Sequence, residues 1–147
     1  MSVLMIEETK KRHKEMWMWI AKRTAKKREA IDESQYFEKN GISDIPAGYC
    51  YCCDFDIALR RDISLITQHC KLCPVKNWGG EKADNLPFPC NRGLYRDWCE
   101  EPDWQKAADL AEQIANLPFK KAFDITPEQA KMLRDKGYGE IYSVEEV

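Results

Sequence analysis

Apolar side chains recur along most of the chain at the three-to-four-residue spacing of amphipathic helices. Over 7–30, Met16, Trp17, Ile20, Ala21 and Thr24 share one face, and neither proline nor glycine interrupts the stretch. A short helix is predicted over 32–39, with Tyr36 and Phe37 turned inward and Asn40-Gly41 as its stop. Phe55, Ala58, Leu59, Ile63 and Ile66 form the apolar stripe of a third helix over 54–68, with Asp54 favourably placed near its start. Trp104, Ala107, Ala108, Ala111, Ile114 and Ala115 line a fourth over 103–117, bracketed by Pro102 and Pro118. Its alanines permit close packing, and the first helix is the expected neighbour. Thr126-Pro127-Glu128-Gln129 reads as a capping box with proline at the first helical position, opening a last helix that runs to Lys136 and stops at Gly137.

These elements predict a mainly α-helical small domain with a knuckle and loop region in its middle and a short hairpin beside the knuckles. Residues 1–118 are expected to form that domain. The helix and tail of 119–147 are packed on it or appended to it. Trp17, Ile20, Phe55, Leu59, Ile63, Trp104, Ala108, Ala111 and Ile114 are the expected core. Pro87 and Pro89 make 81–89 a loop. No internal repeat is evident.

Composition narrows the classes. A chain of 147 residues with 44% hydrophobic and 11% aromatic content is large and apolar enough for a true core. No apolar run reaches the roughly 18 residues of a membrane span, and the start lacks the basic and long apolar regions of a signal peptide. A formal charge of −2 excludes a globally basic nucleic-acid binder. The charge is uneven: 10 basic and 8 acidic side chains precede Cys50, and 13 and 17 follow from there. Seven cysteines without an export signal point to a reducing cytoplasm, where metal binding is the commoner use of such residues.

The cysteine spacing supports that use. Cys50 and Cys53 form one C-x-x-C pair and Cys70 and Cys73 a second, with 16 residues between them. Two intervening residues let a tight turn aim both sulfurs at one ion, and two such knuckles complete a closed tetrahedral thiolate site. One structural zinc ion held by Cys50, Cys53, Cys70 and Cys73 is the expectation, clamping both ends of the third helix. Cys90 is the alternative ligand, and Cys52 leaves the choice in the first knuckle partly open. Cys99 reads as a small buried apolar residue. His69 adjoins Cys70 but points away from its turn, His13 reads as a surface histidine, and Trp78 as a shield over the site.

Lys10, Lys11, Arg12, Lys14, Lys22, Arg23, Lys26, Lys27 and Arg28 give the first helix a basic face, with Trp19 among them. Lys22, Arg23, Lys26, Lys27 and Arg28 are the candidate nucleic-acid contacts, helped by Arg60 and Arg61. The simpler alternative is a solvated face. Enzyme signatures are missing: no H-x-E accompanies the cysteines, and there is no P-loop, nucleophile elbow or dinucleotide fingerprint. A non-catalytic protein is expected.

Several pieces together resemble a family of small, mostly uncharacterised cysteine-rich proteins of bacteriophages and prophages. They are Lys14-Glu15-Met16-Trp17-Met18-Trp19-Ile20-Ala21, the two knuckles, Trp78-Gly79-Gly80, Cys90 with Tyr95 and Trp98, and Ala111-Glu112-Gln113-Ile114-Ala115-Asn116-Leu117-Pro118. The similarity covers roughly residues 10–118. It implies zinc binding in the cytoplasm of an infected or lysogenic bacterium and no chemistry. It also suggests a host protein as partner, an enzyme or defence component to be inhibited or modulated, and the acidic charge balance favours that over nucleic acid.

Overall fold

The computed structural model describes residues 4–65, 70–78 and 93–147. Among them, six α-helices carry the fold: α1 (Ile6–Lys27), α2 (Glu33–Lys39), α3 (Tyr51–Asp62), α4 (Leu94–Glu100), α5 (Trp104–Ala115) and α6 (Pro127–Asp135). The mainly helical class is as expected, but the described residues hold no strand and no hairpin beside the knuckles. Their extended pairings are two isolated bridges, Val75 antiparallel with Phe119 and Phe123 parallel with Ser143. The segment after Cys73 pairs with a distant partner. Lys76 N–H donates to the Pro118 carbonyl at 2.9 Å, and Lys120 N–H donates to that of Pro74 at 2.7 Å.

Helix α1 buries Thr9, His13, Met16, Trp17, Ile20, Ala21 and Thr24 along one stripe. Helix α5 lies chiefly against it. Ala107, Ala111, Ile114 and Ala115 are its buried positions, and the small alanines allow the close approach. Trp104 and Ala108 are only half-buried, contrary to the expected core. Trp104 sits at the first position of α5, where the Arg28 guanidinium lies 5.9 Å from its ring. Asp32 and Gln35 close a capping box on α2, which buries Tyr36 and Phe37.

Helix α3 departs most from the periodicity. It begins at Tyr51 because the Cys50 sulfur caps it, accepting the Cys53 N–H. It ends at Asp62, well before 68. Ser64 takes a left-handed conformation (φ 53°), and Leu65 N–H reaches back to the Arg60 carbonyl at 2.9 Å. That is a Schellman-type stop on a residue other than glycine, so no sequence signal announced it. The predicted continuation at 66–68, with Ile66, lies outside the described residues, as does the loop at 81–89.

The interior is divided. One cluster joins α1, α2 and α5 to the cysteine region through Trp17, Ile20, Phe37, Tyr51, Trp78 and Ile114. The other joins α3 to α6 and the last segment through Phe55, Leu59, Leu72, Phe123, Leu133, Tyr138 and Ile141. Phe123, Leu133, Tyr138 and Ile141 thus share a buried cluster with Phe55 and Leu59 of α3. Helix α6 opens on the predicted Thr126–Gln129 capping box, and Gly137 (φ 100°) follows its end. The tail then returns to the start of α1: Ile6 N–H donates to the Tyr138 carbonyl at 2.8 Å. At Gly139 (φ 91°) the left-handed conformation favours glycine, whereas an added Cβ would meet only the movable end of the Glu7 side chain.

Candidate metal centre

The first knuckle is a strained turn into a helix. Tyr49 is left-handed (φ 57°), and Cys50 N–H bonds the Ala47 carbonyl at 3.1 Å. This turns the Cys50 sulfur back over the start of α3, where it accepts Cys53 N–H at 3.3 Å. The second knuckle is also left-handed, at Cys70 (φ 71°), and Cys73 N–H donates to the Cys70 carbonyl at 3.1 Å. Non-glycine residues seldom adopt this conformation, and where they do the surroundings must hold them.

One carboxylate does much of that holding. Asp56, on α3 and 1% exposed, accepts Cys70 N–H at 3.0 Å and Leu72 N–H at 2.7 Å. Arg60, one turn along, pairs with the same group at 2.9 Å. The side chain thus fastens the second knuckle over the first turn of α3.

The thiols of the two knuckles meet. Cys50 contacts Cys52 and Cys53, Cys52 contacts Cys73, and Cys53 contacts Cys70. These contacts run as a line, Cys73–Cys52–Cys50–Cys53–Cys70, with both ends supplied by the second knuckle. As they stand, no three or more His, Cys, Asp or Glu groups among the described residues are arranged to hold a metal ion. The donor chemistry nevertheless fits a soft, thiophilic ion. Donated contacts from Cys52 and Cys53 hold the Cys50 thiol well below its ordinary pKa, against the opposing effect of burial. Burial pushes Cys52 up, and its contacts with Cys50 and Cys73 add to that. Contacts with Cys50 and Cys70 push Cys53 up. Cys50 is the acceptor at the centre of the line.

His13 belongs to this cluster and is not a surface histidine. It is 1% exposed. Its Nε2 lies 2.8 Å from the Ile114 carbonyl oxygen and its Nδ1 3.6 Å from the Cys52 sulfur. A carbonyl only accepts, so Nε2 carries the proton and Nδ1 presents a lone pair to the thiols. Burial lowers the imidazole pKa, which keeps the ring neutral. The signal was present in the sequence: His13 stands three and four residues before Met16 and Trp17, on the stripe that α1 buries. Trp78, 5% exposed, packs edge-on against His13 with ring centres 6.1 Å apart.

The other named residues lie apart from the thiol line or beyond the described segments. Cys90 and His69 lie outside the described residues. Cys99 is exposed on α4, so the expected burial fails there. It contacts Tyr95, whose hydroxyl lies 3.3 Å from a Glu33 carboxylate oxygen. Burial pushes Glu33 up to about 7; the nearby Cys50 adds to this, and the Tyr95 hydrogen bond opposes it. The folded protein therefore holds a proton that the unfolded chain releases near the ordinary 4.5. Between those values the unfolded chain binds fewer protons, so stability falls as pH rises. The expected loss across the window is about 3 kcal/mol, and Glu33→Gln should flatten the profile. Urea titrations of both proteins at several pH values check this. An equal slope in the variant would count against it.

The basic candidates sit at the far end of α1. Lys22, Lys26, Lys27 and Arg28 are exposed, and none of the three lysines pairs with a carboxylate among the described residues. Arg23 is half-buried, with its guanidinium 5.9 Å from the Trp19 ring. Trp19 in turn packs edge-on against Tyr36 at 5.5 Å, so its ring already makes contacts within the protein itself. No helix among the described residues is long and apolar enough to cross a membrane.

No protein family, curated protein or solved structure matches the chain.

Proposed function

We propose that this chain is a non-catalytic, metal-stapled helical module that works by binding another macromolecule. The observation that carries the reading is the line of thiols in which Cys53 meets Cys70 and Cys52 meets Cys73. Residues 16 or more apart in sequence are brought together as soft ligands, and zinc is the simplest ion to take them. Cys50, Cys53, Cys70 and Cys73 are the ligands that the knuckle spacing names. The ion's contribution is mechanical: it closes the loop between the start of α3 and the second knuckle.

The resemblance to phage and prophage zinc proteins supplies the partner class, a protein of the bacterial host. Residual acidity after Cys50 agrees with a partner that is not a polyanion. Nucleic acid is the second reading, and the exposed lysines at the end of α1 favour it. The two separate in one experiment: affinity capture of the zinc-loaded protein from bacterial lysate, with and without nuclease. A stoichiometric protein band that survives nuclease is the expected result. Signal lost with nuclease, weakened steeply by salt and abolished by charge reversal at Lys22, Arg23, Lys26 and Lys27, would replace the protein partner with nucleic acid.

A further inference from the structure

A cleft beside the first knuckle plays no part in the metal reading. The connector between α2 and α3 lines it on one side and α3 on the other, and it encloses about 500 Å³. Its buried lining is aromatic: Tyr51 is 5% exposed and Phe55 3%. Its open lining includes Ile45 and Ile57, which are 49% and 38% exposed. Single exposed aliphatic side chains are ordinary. Two that line one concave site over an aromatic interior are less so, because an incoming apolar group could cover both at once.

The charges around the cleft select what comes in. Arg12 and Arg61 line it, but each already faces a carboxylate, Arg12 that of Glu8 at 3.2 Å and Arg61 that of Asp62 at 3.9 Å. Asp44 and Asp54 also line it, and both are exposed. Neither has a cation partner among the described residues, and the Asp54 carboxylate accepts only the Ala47 N–H, at 3.5 Å. The charge left over is therefore negative, which repels a phosphate backbone and complements a lysine or arginine. An apolar centre with a charged rim is also the usual build of a protein interface. The volume is on the scale of small-ligand pockets, roughly 300–1,000 Å³. It takes a few side chains of a short segment, not a folded domain.

We propose that this cleft docks a short protein segment, which presents apolar side chains to Ile45 and Ile57 and a neighbouring lysine or arginine to Asp44 and Asp54. The inference rests on the protein-binding reading and gives it a surface and a recognition chemistry.

The test starts from the full wild-type chain, immobilised and used to select binders from a random peptide library. The expected consensus is a pair of apolar residues beside a basic one. Selected peptides should bind Ile45→Asp and Ile57→Asp about tenfold more weakly or worse. Both positions are exposed, and circular dichroism checks that the variants fold. Asp54→Lys should also weaken binding, and a peptide with its basic residue changed to glutamate should recover it, which a merely structural role would not allow. No enriched consensus, an acidic one, or equal binding to the isoleucine variants overturns the proposal. A wild-type dimer in sedimentation that Ile57→Asp converts to monomer also overturns it, giving the cleft to a second copy of the chain. Capture from lysate separates the two readings. A nuclease-resistant protein band that persists on Ile57→Asp overturns the cleft and leaves a protein partner standing. Peptides that need Ile57, together with a lysate signal lost to nuclease, uphold the cleft and overturn the protein partner as the chain's main target.

Discussion

Removing the proposed zinc by chelation should melt the centre of this protein, not merely loosen a loop. The circular dichroism signal of α3 is expected to fall, and the thermal transition to drop sharply or disappear. Structural zinc in finger peptides contributes roughly 10–16 kcal/mol near neutral pH, as much as the whole stability of many domains. The fold explains why the loss would spread. Cys50 caps α3, and the same helix places Phe55 and Leu59 in the core shared with α6 and the last segment. Removing the proposed ion would leave the buried Cys73 thiol without the ligand bond that would offset its burial. Re-adding zinc should restore the transition. An unchanged spectrum and melting temperature after complete removal, verified by elemental analysis, would show that the hydrogen bonds hold the knuckles unaided.

The second large effect is expected at Asp56, which no motif singled out. Asp56→Ala should cost about 3–5 kcal/mol, because it leaves a buried hydrogen-bonded ion pair with one partner and strands two amide donors. The donors are Cys70 N–H and Leu72 N–H, and the cation is Arg60. Arg60 is largely covered, so water compensates it poorly. Asp56→Asn should fall between: its single amide oxygen can replace one acceptor but not the charge. Denaturant unfolding of the three zinc-loaded proteins gives the ranking, and a loss below about 1 kcal/mol for the alanine variant would assign the second knuckle's geometry to the metal alone. The positive φ of Cys70 makes this site sensitive. A conformation rare outside glycine persists only while its neighbours impose it.

How much could be read beforehand follows from which forces leave a local trace. Helices α1, α2, α5 and α6 were legible because burial imposes a period on their sequences and because Asp32, Thr126 and the prolines mark their ends. The C-x-x-C pairs were legible because the turn that aims two sulfurs has a fixed length. Three features left weaker or no marks. Helix α3 stops on a left-handed Ser64, a choice made by packing that the apolar stripe runs straight through. Asp56 looks like any charged helix residue until the second knuckle arrives opposite it, 14 and 16 positions later. His13 was misplaced by its neighbours in sequence. It stands among Lys10, Lys11, Arg12 and Lys14, and only its register with Met16 and Trp17 reveals the buried face.

The return of the tail to α1 sets an order of events during synthesis. Helix α1 leaves the ribosome early, but its main partner, α5, comes late: the Ile114 carbonyl that holds His13 is 101 residues downstream, and the Tyr138 carbonyl that receives Ile6 comes later still. Until those arrive, the tryptophan-bearing face of α1 has no permanent cover, and contacts this distant in sequence form slowly. The knuckles close over a much shorter stretch and can be assembled while α5 is still being made. Metal capture would then supply the first fixed point in the nascent chain, and a cell short of the metal would accumulate chains with that face open to aggregation.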